Sequence, residues 1–215
     1  MSLVVLIPVL GRPYRVAQVM SAFARTVPDA RLCFIPDPDD LPEISAINAA
    51  GGEILCKLKA GYARKINTAI RITDEPLIFL GADDLVPGDG WLEKALAHMQ
   101  DGVEVVGVND MIRRSREHAT HFLMTRRYAK LPTITDDPGP LCELYDHSCI
   151  DDELIATARW RNVYAYAEDS HVTHLHPDNN TAALDDTYRK GRRNIADDRL
   201  LFKSRKTWYL EPRPY

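Results

Sequence analysis

Cysteine is scarce in this chain and poorly placed for cross-linking. There are four in 215 residues, Cys33, Cys56, Cys142 and Cys149, with no CxxC pair and no zinc-ligand spacing. That excludes a disulfide-stapled scaffold and a closed structural zinc site, and leaves reduced thiols of the kind found in the cytosol. Long apolar runs are missing as well. The opening stretch MSLVVLIPVLGRP is too short to span a bilayer and lacks the basic leader of a secretory signal, so the chain reads as cytoplasmic. No sign of charge dominates: 27 Lys and Arg against 31 Asp and Glu give a formal net charge of -4, so the protein as a whole is no polyanion binder. Repeats, low-complexity segments and interdomain linkers are absent too. What remains, 45% hydrophobic and 27% charged residues, suits a globular chain able to bury a full core.

The first half alternates strand and helix patterns. LVVLIPV (3–9), RLCFI (31–35), EILCKL (53–58), LIFL (77–80) and VEVVGV (103–108) read as strands. Helical patterns fall at 14–26, around EISAINAA, at 62–73 and at 91–99. Such alternation predicts parallel strands joined by crossover helices, hence an α/β fold. The second half is less regular. Residues 113–131 are basic around a short apolar piece, PTITDDPGPLCELYDHS reads as a long loop, and IDDELIATARW (150–160) is a helix with acids in its first turn. Strand-like text then ends in the histidine cluster HVTHLHP, and a basic tail covers 188–206.

In sheets of this kind ligands bind beyond the carboxyl ends of the strands. Those ends carry Pro8 to Arg12, Asp37 to Asp40, Gly61 to Lys65, and the pair Asp83 and Asp84, which can meet in one cleft. Adjacent carboxylates at a strand end repel unless a cation neutralises them, and hard divalent ions prefer oxygen ligands; a plain acidic turn before a capped helix is the alternative. His174 and His176 are two apart, so on an extended strand both point the same way and could add a nitrogen ligand, which favours Mn²⁺ over Mg²⁺. Arg64 and Lys65 sit in the first turn of a helix, where cations are unfavourable unless a phosphate binds there; a solvated face is the alternative.

The order of these features resembles GT-A fold glycosyltransferases, closest to the family 2 type. The resemblance rests on LIPVLGRP, the acidic PDPDD, the helix GYARKINTAI, the DxD-like FLGADDLVPGDGWL, the acidic helix start IDDEL and the late VTHLHP. It departs at Gly81, which stands where the family has its first DxD aspartate. The implied fold is a GT-A type, Rossmann-like, mixed and mostly parallel α/β sheet flanked by helices. It would form one domain over 1–215, with a nucleotide-sugar half (1–110), an acceptor and catalytic half (111–180) and a basic C-terminal extension (181–215).

The implied activity is metal-dependent, inverting transfer of a sugar from a UDP-sugar or similar donor to an acceptor hydroxyl. The donor would be held by Pro8, Val9, Arg12, Asp37, Gly61, Arg64, Lys65, Ala82 and Asp83, with Arg12 and Asp37 at the nucleoside. Asp83, Asp84, His174 and His176 would hold Mn²⁺ or Mg²⁺. Asp151, with Asp152 beside it, matches the acidic motif that supplies the base. The basic stretches suit an anionic acceptor: a lipid phosphate, a phosphorylated glycan or a modified DNA base. A nucleotidyltransferase is a weaker fit, because PVLGRPYR has a single glycine where such enzymes carry a Gly-rich signature. A non-catalytic nucleic-acid-binding module using the basic tail is a further alternative.

Overall fold

The computed structural model describes residues 2–112, 118–134 and 138–207. Part of the basic stretch (113–117), part of the long loop (135–137) and the end of the C-terminal extension (208–215) lie outside the described residues. In chain order the elements are β1 (Leu3–Pro8), α1 (Val16–Thr26), β2 (Arg31–Ile35), α2 (Leu41–Ala49), β3 (Glu53–Ile54), α3 (Tyr62–Arg71), β4 (Leu77–Leu80) and β5 (Leu85–Pro87). Then follow α4 (Trp91–Ala97), β6 (Val105–Asn109), β7 (Phe122–Thr125), α5 (Arg126–Ala129), α6 (Ile150–Trp160), β8 (Tyr164–His174), α7 (Asp186–Gly191) and α8 (Ile195–Lys206).

The strands form one eight-stranded sheet in the order β3-β2-β1-β4-β7-β6-β8-β5. Neighbours β3, β2, β1 and β4 pair in parallel, and so do β6 and β8. Strand β7 runs antiparallel between β4 and β6, and β5 antiparallel against β8. Alternation along β1 sorts its side chains into two cores. Val4 and Leu6 pack with Ala63, Ile66 and Ile70 of α3 and with Leu154 of α6. Leu3, Val5 and Ile7 face the opposite layer, where Phe23 of α1, Phe79 of β4 and Trp91 of α4 cluster with ring centroids 4.7 to 6.3 Å apart. The periodicity of α3 thus places its apolar face as the sequence predicts.

The sequence reading needs three corrections. The apolar piece inside the basic stretch is β7, a buried strand in the middle of the sheet, because Phe122, Leu123 and Met124 are buried where it pairs with β4 and β6. The strand expected at 53–58 pairs regularly only over Glu53–Ile54; beyond it Leu55 N–H and Leu58 N–H still donate to the carbonyls of Phe34 and Pro36, following β2 without a ladder. The text after Asp84 contains the short strand β5, and its register with β8 sets the site: Leu85 lies opposite His174.

Candidate functional site

The carboxyl ends of β1, β2 and β4 open into a cleft of about 680 Å³. Pro8, Val9, Asp37, Gly61 and Ala82 line it, and Asp83, Asp84, Asp151, Asp152, His174 and His176 line it as well. Arg64 does not belong to this wall. Its side chain is exposed and its Nε donates to Glu143 at 2.8 Å, on the outer side of α3.

Gly81 explains the departure from the DxD pattern. Its N–H donates to the Leu6 carbonyl at 2.9 Å, continuing the β1–β4 pairing. A Cβ there would lie 3.1 Å from that same oxygen and 3.2 Å from Val5, so a side chain needs the strand to give way. The carboxylates are therefore delayed to Asp83 and Asp84, which are 7% and 3% exposed.

Buried, adjacent carboxylates need a counter-charge, and the chain supplies one from β1's C-terminal loop. Arg12 Nη1 donates to Asp83 Oδ1 at 3.1 Å and to Asp84 Oδ2 at 3.0 Å. Its Nε and Nη2 grip Asp185, at 2.8 and 3.0 Å, and its guanidinium lies 3.9 Å from the centroid of the Tyr188 ring. Tyr188 Oη reaches Asp84 Oδ2 at 2.8 Å, and Arg15 Nη1 stands 3.6 Å from the same oxygen. The Arg12 backbone is fixed in turn, because its N–H donates to buried Glu43 and the Gly11 N–H to Asp40, the cap of α2. Arg12 thus sits on the carboxylate pair, where the sequence reading put it at the nucleoside.

The two carboxylates have opposite electrostatic characters. Burial and the Asp84 charge push Asp83 up to about 7. Burial works against the Asp84 charge too, but the charges of His174 and Arg12 outweigh it and hold that carboxyl well below the usual range. His174 Nε2 is 3.2 Å from Asp84 Oδ1, and Asp84 raises the imidazole pKa despite its burial. His176 is arranged differently. Its Nδ1 accepts the Asp178 N–H at 3.2 Å, which caps a short 3-10 turn, and burial keeps the ring neutral. A neutral imidazole that accepts at Nδ1 carries its proton on Nε2.

Asp83 Oδ2 and Asp84 Oδ1 are buried with no hydrogen-bond partner, although His174 lies close to the latter. Two oxygen atoms of this kind, beside an imidazole, fit a divalent ion that takes one or two carboxylates and completes its shell with substrate phosphates. They do not form a cage: among the described residues no three of His, Cys, Asp and Glu gather at metal-binding distance. Of the four ligands expected from the sequence, Asp83 and Asp84 share Arg12 Nη1, His174 meets Asp84 alone, and His176 is turned to Asp178.

Lys65 is buried and committed. Its Nζ pairs with Asp37 at 2.7 Å and donates to the Val9 carbonyl at 3.1 Å, bracing the cleft wall. Across the cleft, Cys149 takes a left-handed conformation (φ 64°) that turns the chain into α6 and sets Asp151 and Asp152 in its first turn. His118, which the sequence reading passed over, faces both: Nε2 is 3.2 Å from Asp151 Oδ2 and Nδ1 3.6 Å from Asp152 Oδ1. The loop before α6 is pinned by Asp198, whose carboxylate accepts the N–H groups of Asp146, His147 and Ser148. Burial pushes the Cys149 thiol up to about 12, which makes it a poor nucleophile. The basic tail is partly spent on such contacts: Arg189 pairs with Asp186, Arg192 with Asp178 and Arg205 with buried Glu153.

This is the architecture of GT-A type glycosyltransferases. A mannosyltransferase from Pyrobaculum calidifontis, solved with GDP-Man and Mn²⁺, superposes with a TM-score of 0.73 at 13% identity; the match covers 99% of this chain and 65% of that one. Glucosyl-3-phosphoglycerate synthase from Mycobacterium tuberculosis, solved with Mn²⁺ and UDP-Glc, gives 0.65 at 12% identity over 99% and 80% of the two chains. The same synthase with phosphoglyceric acid also bound gives 0.64. No family model and no curated protein sequence matches the chain. At these identities the likeness establishes the fold. Among the described residues no helix is long and apolar enough to cross a membrane.

Proposed function

We propose that the protein is a glycosyltransferase that moves a sugar from a nucleotide-diphosphate donor to an acceptor hydroxyl, with inversion. The observation that carries this reading is the buried carboxylate pair, with Asp83 Oδ2 unpartnered and Asp84 Oδ1 beside His174, lining the same cleft as Asp151. Nucleotide sugars and Mn²⁺ in the structures of similar fold support it. Asp83, Asp84 and His174 would hold the ion, the imidazole favouring Mn²⁺. A divalent ion there would stabilise charge on the leaving diphosphate as a Lewis acid.

The chain's own residues supply the rest. Pro8, Val9, Asp37 and Ala82 form the wall for the nucleoside, braced by Lys65. Asp151 accepts the acceptor hydroxyl proton, with His118 holding its carboxylate in place. Lys190 and Arg199 also line the cleft and favour an anionic acceptor. A screen of UDP- and GDP-sugars for slow hydrolysis tests the reading. One donor should release its nucleoside diphosphate with Mn²⁺ and not with EDTA; a protein that neither binds nor hydrolyses any of them would overturn it.

A further inference from the structure

The C-terminal extension reads as a basic tail, yet its last helix grips the rest of the protein through an acid. Helix α8 turns one stripe inward: Asp198, Leu201, Phe202 and Arg205, at the i, i+3, i+4 and i+7 spacing of a single helix face. Leu201 and Phe202, in the middle, pack against the core that holds Ile150, Leu154 and Ile155 of α6. Asp198 and Arg205, at the ends of the stripe, are 4% and 5% exposed. Apolar contact is non-directional and leaves the helix free to slide. A buried charge at each end is not, because a shift would strip it of its partners.

Both charges act on the segment that carries Asp151 and Asp152. Asp198 Oδ1 accepts the Asp146 N–H at 2.9 Å, and its Oδ2 accepts the N–H groups of His147 at 3.0 Å and Ser148 at 2.7 Å. Among the described residues no main-chain carbonyl takes any of these three N–H groups, so the carboxylate is their anchor. Asn194, just before α8, adds a bond from its Nδ2 to Asp146 Oδ2 at 3.2 Å. In the first turn of α6, Glu153 receives Arg205 on both oxygens, at 2.7 and 2.6 Å, and the Tyr145 hydroxyl donates to it at 2.5 Å. Asp151 and Asp152 lie between the two anchors, after Ser148 and before Glu153, and line the cleft.

We propose that Asp198 is a positioning residue for the transfer. By holding the N–H groups of Asp146, His147 and Ser148 it fixes the entry to α6, and with it the Asp151 carboxylate that takes the acceptor's proton. Arg205 secures the far side of the same pair of acids. A misplacement of about 1 Å caused far from the chemistry can cost about 10²-fold in rate. The role at Asp151 rests on the glycosyltransferase reading above; the hold on the loop does not, and it can be measured without substrate.

The test has two arms. In the first, amide hydrogen exchange of the wild type should show the N–H groups of Asp146, His147 and Ser148 protected, although the side chains of Asp146 and His147 are exposed. In Asp198→Ala that protection should vanish, while the amides of β1 and β4 keep theirs. Equal exchange at the three positions in wild type and variant overturns the proposal. The second arm is a double-mutant cycle read by Mn²⁺-dependent hydrolysis of UDP- and GDP-sugars, with water as acceptor. Asp198→Ala should lower kcat about 10²-fold and leave nucleoside diphosphate binding unchanged. In the Asp151→Asn background it should have little further effect, because no base is left to position. The same loss in both backgrounds, or an unchanged kcat, overturns the role. Asp198→Asn, whose amide nitrogen must face one of the three N–H groups, should repeat the pattern with a smaller loss, and it replaces Asp198→Ala if that variant does not fold. A wild type that hydrolyses none of these sugars counts against the glycosyltransferase reading, and hydrogen exchange then decides whether Asp198 holds the loop.

Discussion

Replacing Asp151 by Asn should leave folding and donor binding intact and lower turnover by about 10²–10⁴. The amide keeps the shape and one acceptor oxygen in the first turn of α6 but cannot take a proton from an acceptor hydroxyl. The position is well defined, because Cys149 turns the chain there and Asp198 ties the preceding loop by three backbone N–H groups. Asp152 is the internal control. It lines the same cleft, but at 3.6 Å it is the more distant partner of His118. Asp152→Asn should therefore cost far less than Asp151→Asn. A single displacement with one base and no enzyme nucleophile inverts the anomeric centre, and the buried Cys149 thiol offers no covalent route. Turnover of both variants with a true acceptor, with the anomeric configuration of the product, checks the assignment. An active Asp151→Asn enzyme beside a dead Asp152→Asn enzyme, or a retained anomer, would contradict it.

Arg12→Ala should be the most destabilising single change in the cleft, by about 3–5 kcal/mol, because it strips a counter-charge from buried Asp83 and Asp84. Asp185 and the Tyr188 ring each lose one of their partners as well, so α7 should loosen from the rim of the cleft. Arg12→Lys keeps the charge but not the planar fork that serves three carboxylates, and should fall between. The decisive feature is the response to metal. In the wild type an ion has to share the carboxylates with Arg12, whereas in Arg12→Ala it replaces the missing charge. Mn²⁺ at about 100 times its dissociation constant returns about 2.7 kcal/mol to any form it binds. Urea denaturation should show Mn²⁺ stabilising Arg12→Ala more than wild type at equal concentration. Equal stabilisation of both would show that Arg12 and the ion do not meet.

Much of this was legible in the sequence where physics is local. Continuous apolar runs marked β1, β2 and β4, and the spacing of Ala63, Ile66 and Ile70 marked the buried face of α3. Acids in the first turn of α6 agreed with its helix dipole. The neighbourhood of the candidate residues was legible at the strand ends: Asp84 and His174 lie 3.2 Å apart because β5 and β8 pair in one register. What failed was non-local. Strand β7 carries four residues and hides among arginines, and only its neighbours β4 and β6 make it a strand. Arg12 is 71 residues from Asp83 and 173 from Asp185, and no spacing rule predicts that trio. Lys65 read equally as a phosphate ligand or a solvated side chain by its place in a helix, and its buried pairing with Asp37 has no signal in that spacing. His118 was read as part of a basic stretch; it lies ahead of β7 and reaches Asp151 and Asp152, far off in sequence.

The central claim is that the Asp83 and Asp84 carboxylates bind a nucleoside diphosphate through a divalent ion, and calorimetry of UDP and GDP binding tests it most directly. The wild type should bind one of them with Mn²⁺ and lose that binding in EDTA. The double variant Asp83→Asn, Asp84→Asn is the informative partner, since each amide keeps an acceptor oxygen for Arg12 while removing the negative charge an ion requires. The account predicts that this variant stays folded and shows no metal-dependent binding. Metal-dependent binding of equal strength in the folded variant would contradict it.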